Sequence, residues 1–421
     1  MKPTVSIILT SYNKPWFIAQ TIESILKQTW SEWELFIMDD HSNDVTVQLI
    51  KKYVDNPRIF YRNSFIEKEN RYKTTRYATL INEAIPLTKG KYVTYITDDT
   101  VYLPNRLSEM VKHLESNPSK EIVFSSQLVK IVDRQLNCLR EFKREATQVL
   151  TNAADIVDHC SVMHTRNIAE KVSEKFGTYW NEDPLYWCRG DAAFWNRLNV
   201  FQPFYPIRQV LDITYKTPHS VQTLFQHLPN NLPNGILVKG TNEEVYLIDQ
   251  EKRRLITPAM FSFFKYDEKE ITEIPDPLLH KYEEGDPVDF DHFPNYCLFR
   301  DEKGELYYFE RYQRRKIGNS FVWGKFRFNI RKIIEVETER LKKIPLGPDL
   351  NIHPSRLHPL PEGRIYKNQV QYWILKGDTI YPIDKKVLQR LRLEQEHIEL
   401  PGNVIKQYKI GDASFYAAID M

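Results

Sequence analysis

Two adjacent carboxylates, Asp98 and Asp99, terminate the apolar run Tyr92-Val93-Thr94-Tyr95-Ile96-Thr97. Like charges side by side repel, and each carboxylate resists desolvation unless a cation or a donor compensates it. At the carboxyl end of a strand in an α/β sheet a ligand commonly provides that compensation, because crevices open there. Hard oxygen donors suit Mg²⁺ or Mn²⁺, and such an ion bridges a carboxylate to a diphosphate. A solvated turn uses the same pair with no ligand. Two earlier strand ends follow the same plan: Thr10-Ser11-Tyr12 closes the first apolar run, and Asp39-Asp40 closes the second. Tyr12 can stack on a nucleobase, Asp40 can accept the imide N–H of uracil or thymine, and Asp98 can hold a ribose hydroxyl while Asp99 ligates metal. Taken singly, Tyr12 reads as a packing residue and Asp40 as a helix N-cap before Ser42. In this order, without the G-x-G-x-x-G of a dinucleotide fold after the first strand, they point to a nucleoside-diphosphate crevice.

The elements that must carry these residues are legible by period. Val5-Ser6-Ile7-Ile8-Leu9-Thr10 reads as a strand covered on both faces, and Pro15 opens a helix with Ile18, Ile22, Ile25 and Leu26 on one side. Strands over residues 33–38, 58–61 and 122–125 and helices over 79–85 and 104–114 continue the alternation, giving a Rossmann-like α/β sheet. Residues 129–217 are less regular and rich in His, Trp and Tyr. A run of turn formers over 229–235 is read as a linker between a first domain, 1–228, and a second, 236–421. The second domain reads as β-rich and built of three degenerate repeats, about 236–288, 295–349 and 364–413. The same offset separates Tyr246 from Arg253-Arg254 and Tyr307 from Arg314-Arg315, and the third copy lacks the Arg pair. Recurrence at one position favours a packing or hairpin role for these arginines, and the repeats are candidates for glycan binding or oligomerisation.

With 421 residues, 27% charged and a net charge of +2, the chain has room for two or more cores and no electrostatic footprint for nucleic acid. Cys138, Cys160, Cys188 and Cys297 form no CxxC pair, Met1-Lys2-Pro3-Thr4 runs straight into a strand, and no stretch approaches about 18 apolar residues. The expectation is a reduced, cytoplasmic protein with no transmembrane segment.

The order Val-Ser-Ile-Ile-Leu-Thr-Ser-Tyr-Asn, Phe-Ile-Met-Asp-Asp and Thr-Asp-Asp-Thr resembles family 2 glycosyltransferases of the GT-A fold. Thr75-Arg76-Tyr77-Ala78, the 158–164 segment Asp-His-Cys-Ser-Val-Met-His and Lys175-Phe176-Gly177-Thr178-Tyr179-Trp180 narrow the resemblance to the spore-coat polysaccharide glycosyltransferases of bacilli, over residues 3–222. The resemblance implies a nucleotide-base pocket of Thr10, Tyr12, Asp40 and Arg71, a DxD variant at Asp98 and Asp99 with Asp99 on Mn²⁺ or Mg²⁺, and Asp191 as catalytic base. Thr100 stands where the relatives carry an amide. Asp191 also fits the chemistry independently: inverting transfer needs a single carboxylate to deprotonate the acceptor hydroxyl, with Trp187, Phe194 and Trp195 available to bury it. It equally reads as the cap of a helix over 192–198. Arg71 and Arg76 are candidates to neutralise diphosphate, or members of a solvated helix face. His159, Cys160 and His164 lack a fourth ligand for zinc, and His159 and His164 are read as acceptor-side or structural residues.

The resulting expectation is a metal-dependent inverting enzyme that moves a sugar from a UDP- or dTDP-sugar to a hydroxyl acceptor in spore-coat or cell-surface polysaccharide synthesis. The competing class is a binding protein that holds a nucleotide sugar or glycan without turnover.

Overall fold

β-Branched and aromatic residues buried on both faces build the first strands, and their alternation sends successive side chains to opposite cores. In the computed structural model, which describes residues 3–355, 357–369, 371–394 and 397–419, the chain divides into two compact units, Met1–Thr223 and Leu224–Met421. The first unit runs β1 (Val5–Ser11), α1 (Pro15–Leu26), β2 (Trp33–Asp39), α2 (Asp44–Lys51), β3 (Ile59–Asn63), α3 (Arg76–Ala84), β4 (Tyr92–Thr97), β5 (Thr100–Tyr102) and α4 (Arg106–Glu115). It continues with β6 (Ile122–Val132), β7 (Cys138–Arg144), β8 (Val162–Thr165), α5 (Arg166–Phe176), α6 (Gly190–Asn199) and β9 (Tyr205–Lys216). These strands form one nine-stranded mixed sheet in the order β3-β2-β1-β4-β8-β6-β9-β5, with β7 on β6. This is the GT-A-like curled sheet expected from the sequence.

Val5, Ile7, Leu9, Leu35 and Ile37 face a core closed by Ile18, Ile22 and Ile25 of α1 and Leu107, Met110 and Val111 of α4. Ile8, Phe36, Met38, Val93 and Tyr95 face the opposite core, closed by Leu80 and Ile81 of α3, Ile168 and Val172 of α5, and Phe194, Trp195 and Leu198 of α6. The irregular region 129–217 thus forms regular structure. Its strands were obscured because β8 is four residues long and antiparallel to both neighbours, while nearly all of β7 is exposed.

The second unit comprises the smaller β-sheets of the repeat region. Each copy has one strand, a tight hairpin, a short helix, a strand parallel to the first and a second short helix. In the first two copies the two turn residues of the hairpin have positive φ (Gln250 49° and Glu251 62°, Arg311 50° and Tyr312 58°), the geometry that matches strand twist in a two-residue turn. The Arg pairs are structural. Arg253 donates to the Tyr282 carbonyl at 2.6 Å, and Arg314 donates to that of Ile344 at 3.0 Å. Arg254 pairs with Asp249 at 2.7 Å and donates to the carbonyls of Asp286 and Phe293. Arg315 pairs with Glu310 and donates to the carbonyls of Pro348 and Pro359 at 2.7 and 2.6 Å. The second arginine of each pair therefore fastens its repeat to the segment leading into the next. The third copy, with no successor, places Tyr381 there, packed on Phe415. Tyr296 packs closely on two glycines: a Cβ on Gly235 or Gly363 would lie 2.5 or 2.4 Å from its ring. Arg315→Met should destabilise the repeat unit by about 3–5 kcal/mol, because Glu310 is left buried without its counter-ion. A denaturant midpoint equal to that of the wild type would refute this role.

Candidate active site

β1 lies between β2 and β4, parallel to both, with Thr10 level with Met38 and Thr97. The residues just past these strands, Tyr12, Asp40 and Asp98, consequently emerge together at the carboxyl edge of the sheet. The Tyr12 N–H donates to Asp98 Oδ2 at 2.8 Å, and the Asp40 N–H donates to the Ser11 carbonyl at 2.9 Å. Asp98 and Asp99 are both buried. Their compensation includes a residue the sequence reading passed over: the Lys14 ammonium lies 3.1 Å from Asp98 Oδ1 and 2.6 Å from Asp99 Oδ2. The available signal was its place directly after Tyr12-Asn13.

Electrostatics separate the two carboxylates. Burial pushes Asp98 up to about 6 against the pull of Lys14, with Asp99 adding like-charge repulsion. Burial opposes the charge on Asp99 too, but Lys14, Lys216 and a 2.6 Å hydrogen bond from Thr97 hold it below the usual carboxylate value. Asp99 is therefore the more acidic of the pair. Burial likewise opposes the charge on Lys14, yet the two aspartates hold it protonated well above the ordinary lysine value. Thr100 turns inward, 3.0 Å from the Thr214 hydroxyl.

Asp40 is not a helix cap, since Asn43 caps α2 through a 3.0 Å bond to the Thr46 N–H. Its carboxylate is instead clamped by two buried arginines. Arg71 pairs with Oδ2 at 2.6 Å and donates to the Asp40 carbonyl at 2.8 Å, while Arg76 pairs with Oδ1 at 2.8 Å. Ser64 donates to the same Oδ1 at 3.1 Å. The Arg71 guanidinium also lies 3.9 Å from the centre of the Tyr12 ring. Arg71 and Arg76, read from sequence as diphosphate candidates, are thus gathered around Asp40, and Tyr12 joins them.

Beyond this edge stand a short 3₁₀ turn, residues 159–161, and α6. Thr97, which holds Asp99, has its hydroxyl 3.4 Å from Cys160 Sγ. The neighbouring His159 Nδ1 lies 3.9 Å from Asp191 Oδ2, so the Asp98–Asp99 corner and Asp191 adjoin through these two residues. Burial opposes protonation of His159, but Cys160, Asp191 and Asp158 outweigh it and hold the imidazole well above its ordinary value. Asp191 sits in the first turn of α6, its Oδ1 accepting the Ala192 N–H at 2.9 Å. Phe194 and Trp195 lie one turn further along α6. Both are fully buried, with Phe194 stacked on Trp180 at 4.7 Å and Trp195 Nε1 donating to the Val157 carbonyl, so they anchor the helix. His164 is separated from the cleft: it is fully buried, 2.7 Å from the Tyr95 hydroxyl, and burial drives it down to about 4.

Among the described residues, Asp158, His159 and Cys160 each offer a ligand atom within 4.8 Å of the others and could hold a metal ion. Nitrogen and sulfur donors suit zinc better than Mg²⁺ or Mn²⁺, and Asp158 is already paired with Arg144 at 2.8 Å. The oxygen pair at Asp98 and Asp99 fits a hard divalent ion better. In this structure that oxygen pair is engaged by the Lys14 ammonium. No helix among the described residues is long and apolar enough to cross a membrane.

Residues 6–172 match the signature of Glycosyl transferase family 2. Protein CgeD of Bacillus subtilis is 40% identical over 422 residues, an alignment spanning 100% of this chain, repeats included, and 97% of that protein. The Escherichia coli UDP-Glc:alpha-D-GlcNAc-diphosphoundecaprenol beta-1,3-glucosyltransferase WfgD is 28% identical over 113 residues, 27% of this chain and 42% of that one. Among solved structures, S. aureus TarS 1-349 in complex with UDP aligns with a TM-score of 0.38 and 13% identity, over 51% of this chain and 61% of that chain.

Proposed function

The chain belongs to glycosyl transferase family 2, and from that premise we propose that it catalyses inverting, metal-dependent transfer of a sugar from a UDP- or dTDP-sugar to a hydroxyl acceptor. The observation that carries this reading is the meeting of the Asp40 clamp and the Asp98–Asp99–Lys14 corner at one sheet edge, with Asp191 of α6 linked to it through His159, Cys160 and Thr97. Tyr12, with Thr10 beside it, and Asp40, with its two arginines, receive the base, and Asp98 takes the ribose. Lys14 supplies fixed positive charge beside the diphosphate. Mn²⁺ or Mg²⁺, held by Asp99, supplies Lewis-acid stabilisation of the leaving group when bound. The Asp191 carboxylate takes the proton of the acceptor hydroxyl as its oxygen bonds to the anomeric carbon. The bond from that carbon to the diphosphate breaks, and the nucleoside diphosphate departs. The setting we propose is the cytoplasmic assembly of spore-coat or cell-surface polysaccharide, a reading supported by the resemblance of residues 3–222.

A nucleotide-release assay with a panel of UDP- and dTDP-sugars and Mn²⁺ tests the reading. Release is expected from at least one donor and is expected to stop on chelation with EDTA. Nucleotide binding without release from any donor would instead identify a binding protein, and release undiminished by EDTA would remove the metal from the proposal.

A further inference from the structure

We propose that Tyr77 is a positioning residue for Asp191, tying the general base to the helix that also forms the nucleotide-base pocket. The proposal rests on the reading of Asp191 as the base. The first two residues of α3 point to different halves of the cleft. Arg76 pairs with Asp40, whereas the Tyr77 hydroxyl accepts the Gly190 N–H at 2.7 Å and lies 3.4 Å from the Tyr186 carbonyl, to which it donates.

This contact answers a specific need. The leading N–H groups of a helix have no intrahelical acceptor, and the residue preceding α6, Arg189, makes no side-chain cap bond. Tyr77 supplies the missing acceptor one residue before Asp191. The fit also dictates glycine at the contact, since a Cβ on Gly190 would stand 2.5 Å from the Tyr77 hydroxyl oxygen. The Tyr77 ring lies nearly parallel to the His159 imidazole, with 6.1 Å between centroids and 13° between planes, and His159 is the residue 3.9 Å from Asp191. The approach to α6 is fastened to the same helix: the Thr75 N–H donates to the Glu182 carbonyl at 2.7 Å, and Asn82 donates to the Glu182 carboxylate at 2.6 Å. Tyr77 bonds the backbone at the start of α6, so its contribution acts through the placement of Asp191.

Steady-state kinetics on Tyr77→Phe and Gly190→Ala test this. The first removes the acceptor, and the second displaces it while keeping the tyrosine. Both should lower kcat by about tenfold to a hundredfold, the effect of misplacing a catalytic group by about an ångström, with donor KM and nucleotide Kd within about twofold of wild type. In single-turnover assays, adding Tyr77→Phe to Asp191→Asn should produce no further loss, because the group being positioned is already gone. Wild-type kcat in Tyr77→Phe, or a full additional loss on top of Asp191→Asn, would overturn the positioning role. Should Tyr77→Phe lower the melting temperature enough to deplete folded enzyme, Gly190→Ala decides the case on the same criteria. Failure of the base assignment itself is seen separately, as wild-type turnover by Asp191→Asn alone, and that result would remove both readings.

Discussion

Asp191→Asn should reduce sugar transfer by about 10³-fold while nucleotide affinity stays within about twofold. The substitution preserves shape, and an amide oxygen can still accept the Ala192 N–H that Asp191 now accepts at 2.9 Å. What disappears is the lone pair basic enough to take a proton from the acceptor hydroxyl. Asp191 is in the first turn of α6 and is linked to the Asp98–Asp99 corner through His159 and Cys160, so the donor half is expected to assemble without its charge. The measurement is kcat with the best donor from the release panel, together with calorimetric titration of the free nucleotide. Turnover within a few-fold of wild type would move the base elsewhere. Nucleotide affinity falling in parallel with turnover would show that Asp191 shapes the donor pocket.

Asp40→Ala should be damaging in a different way. The side chains of Asp40, Arg71 and Arg76 are each nine-tenths or more buried, and the single carboxylate pairs with both guanidinium groups. Removing one partner of a buried ion pair leaves an uncompensated charge, at a cost of about 3–5 kcal/mol, and here two cations lose their partner together. Arg71 also braces the Tyr12 ring at 3.9 Å, so the stacking surface for a base loosens as well. The expected result is a large drop in the denaturant midpoint and a rise in nucleotide Kd of about tenfold to a hundredfold, the loss of one charge-assisted hydrogen bond. Asp40→Asn keeps the volume and separates the two effects. Unchanged nucleotide affinity in Asp40→Asn, measured on folded protein, would show that the clamp is architectural and takes no part in base recognition.

Much of this sheet edge was legible before any coordinates. β1, β2 and β4 are largely apolar, and Tyr12, Asp40 and Asp98 each stand just past such a run, so the run lengths alone place all three at strand ends. The repeats were visible for a similar reason: the Tyr-to-Arg-Arg offset reports a hairpin of constant length. The region 129–217 was opaque because its strands break the rules that make period informative. β6 and β9 carry register shifts where they pair, β7 buries almost nothing, and β8 is too short to establish a pattern.

The sequence by itself determined which residue types stand at the strand ends and in what order, since local burial imposes a period that any single strand or helix displays. Only the tertiary structure decided which charges meet. Lys14 reaches Asp99 across 85 positions, Arg76 turns to Asp40, Tyr77 reaches Gly190 across 113 positions, and His164 is drawn into the core while His159 remains beside Asp191. The physical reason is that Coulomb attraction and hydrogen bonding act through space over a few ångströms. Partners so far apart in the chain leave no trace in its local pattern.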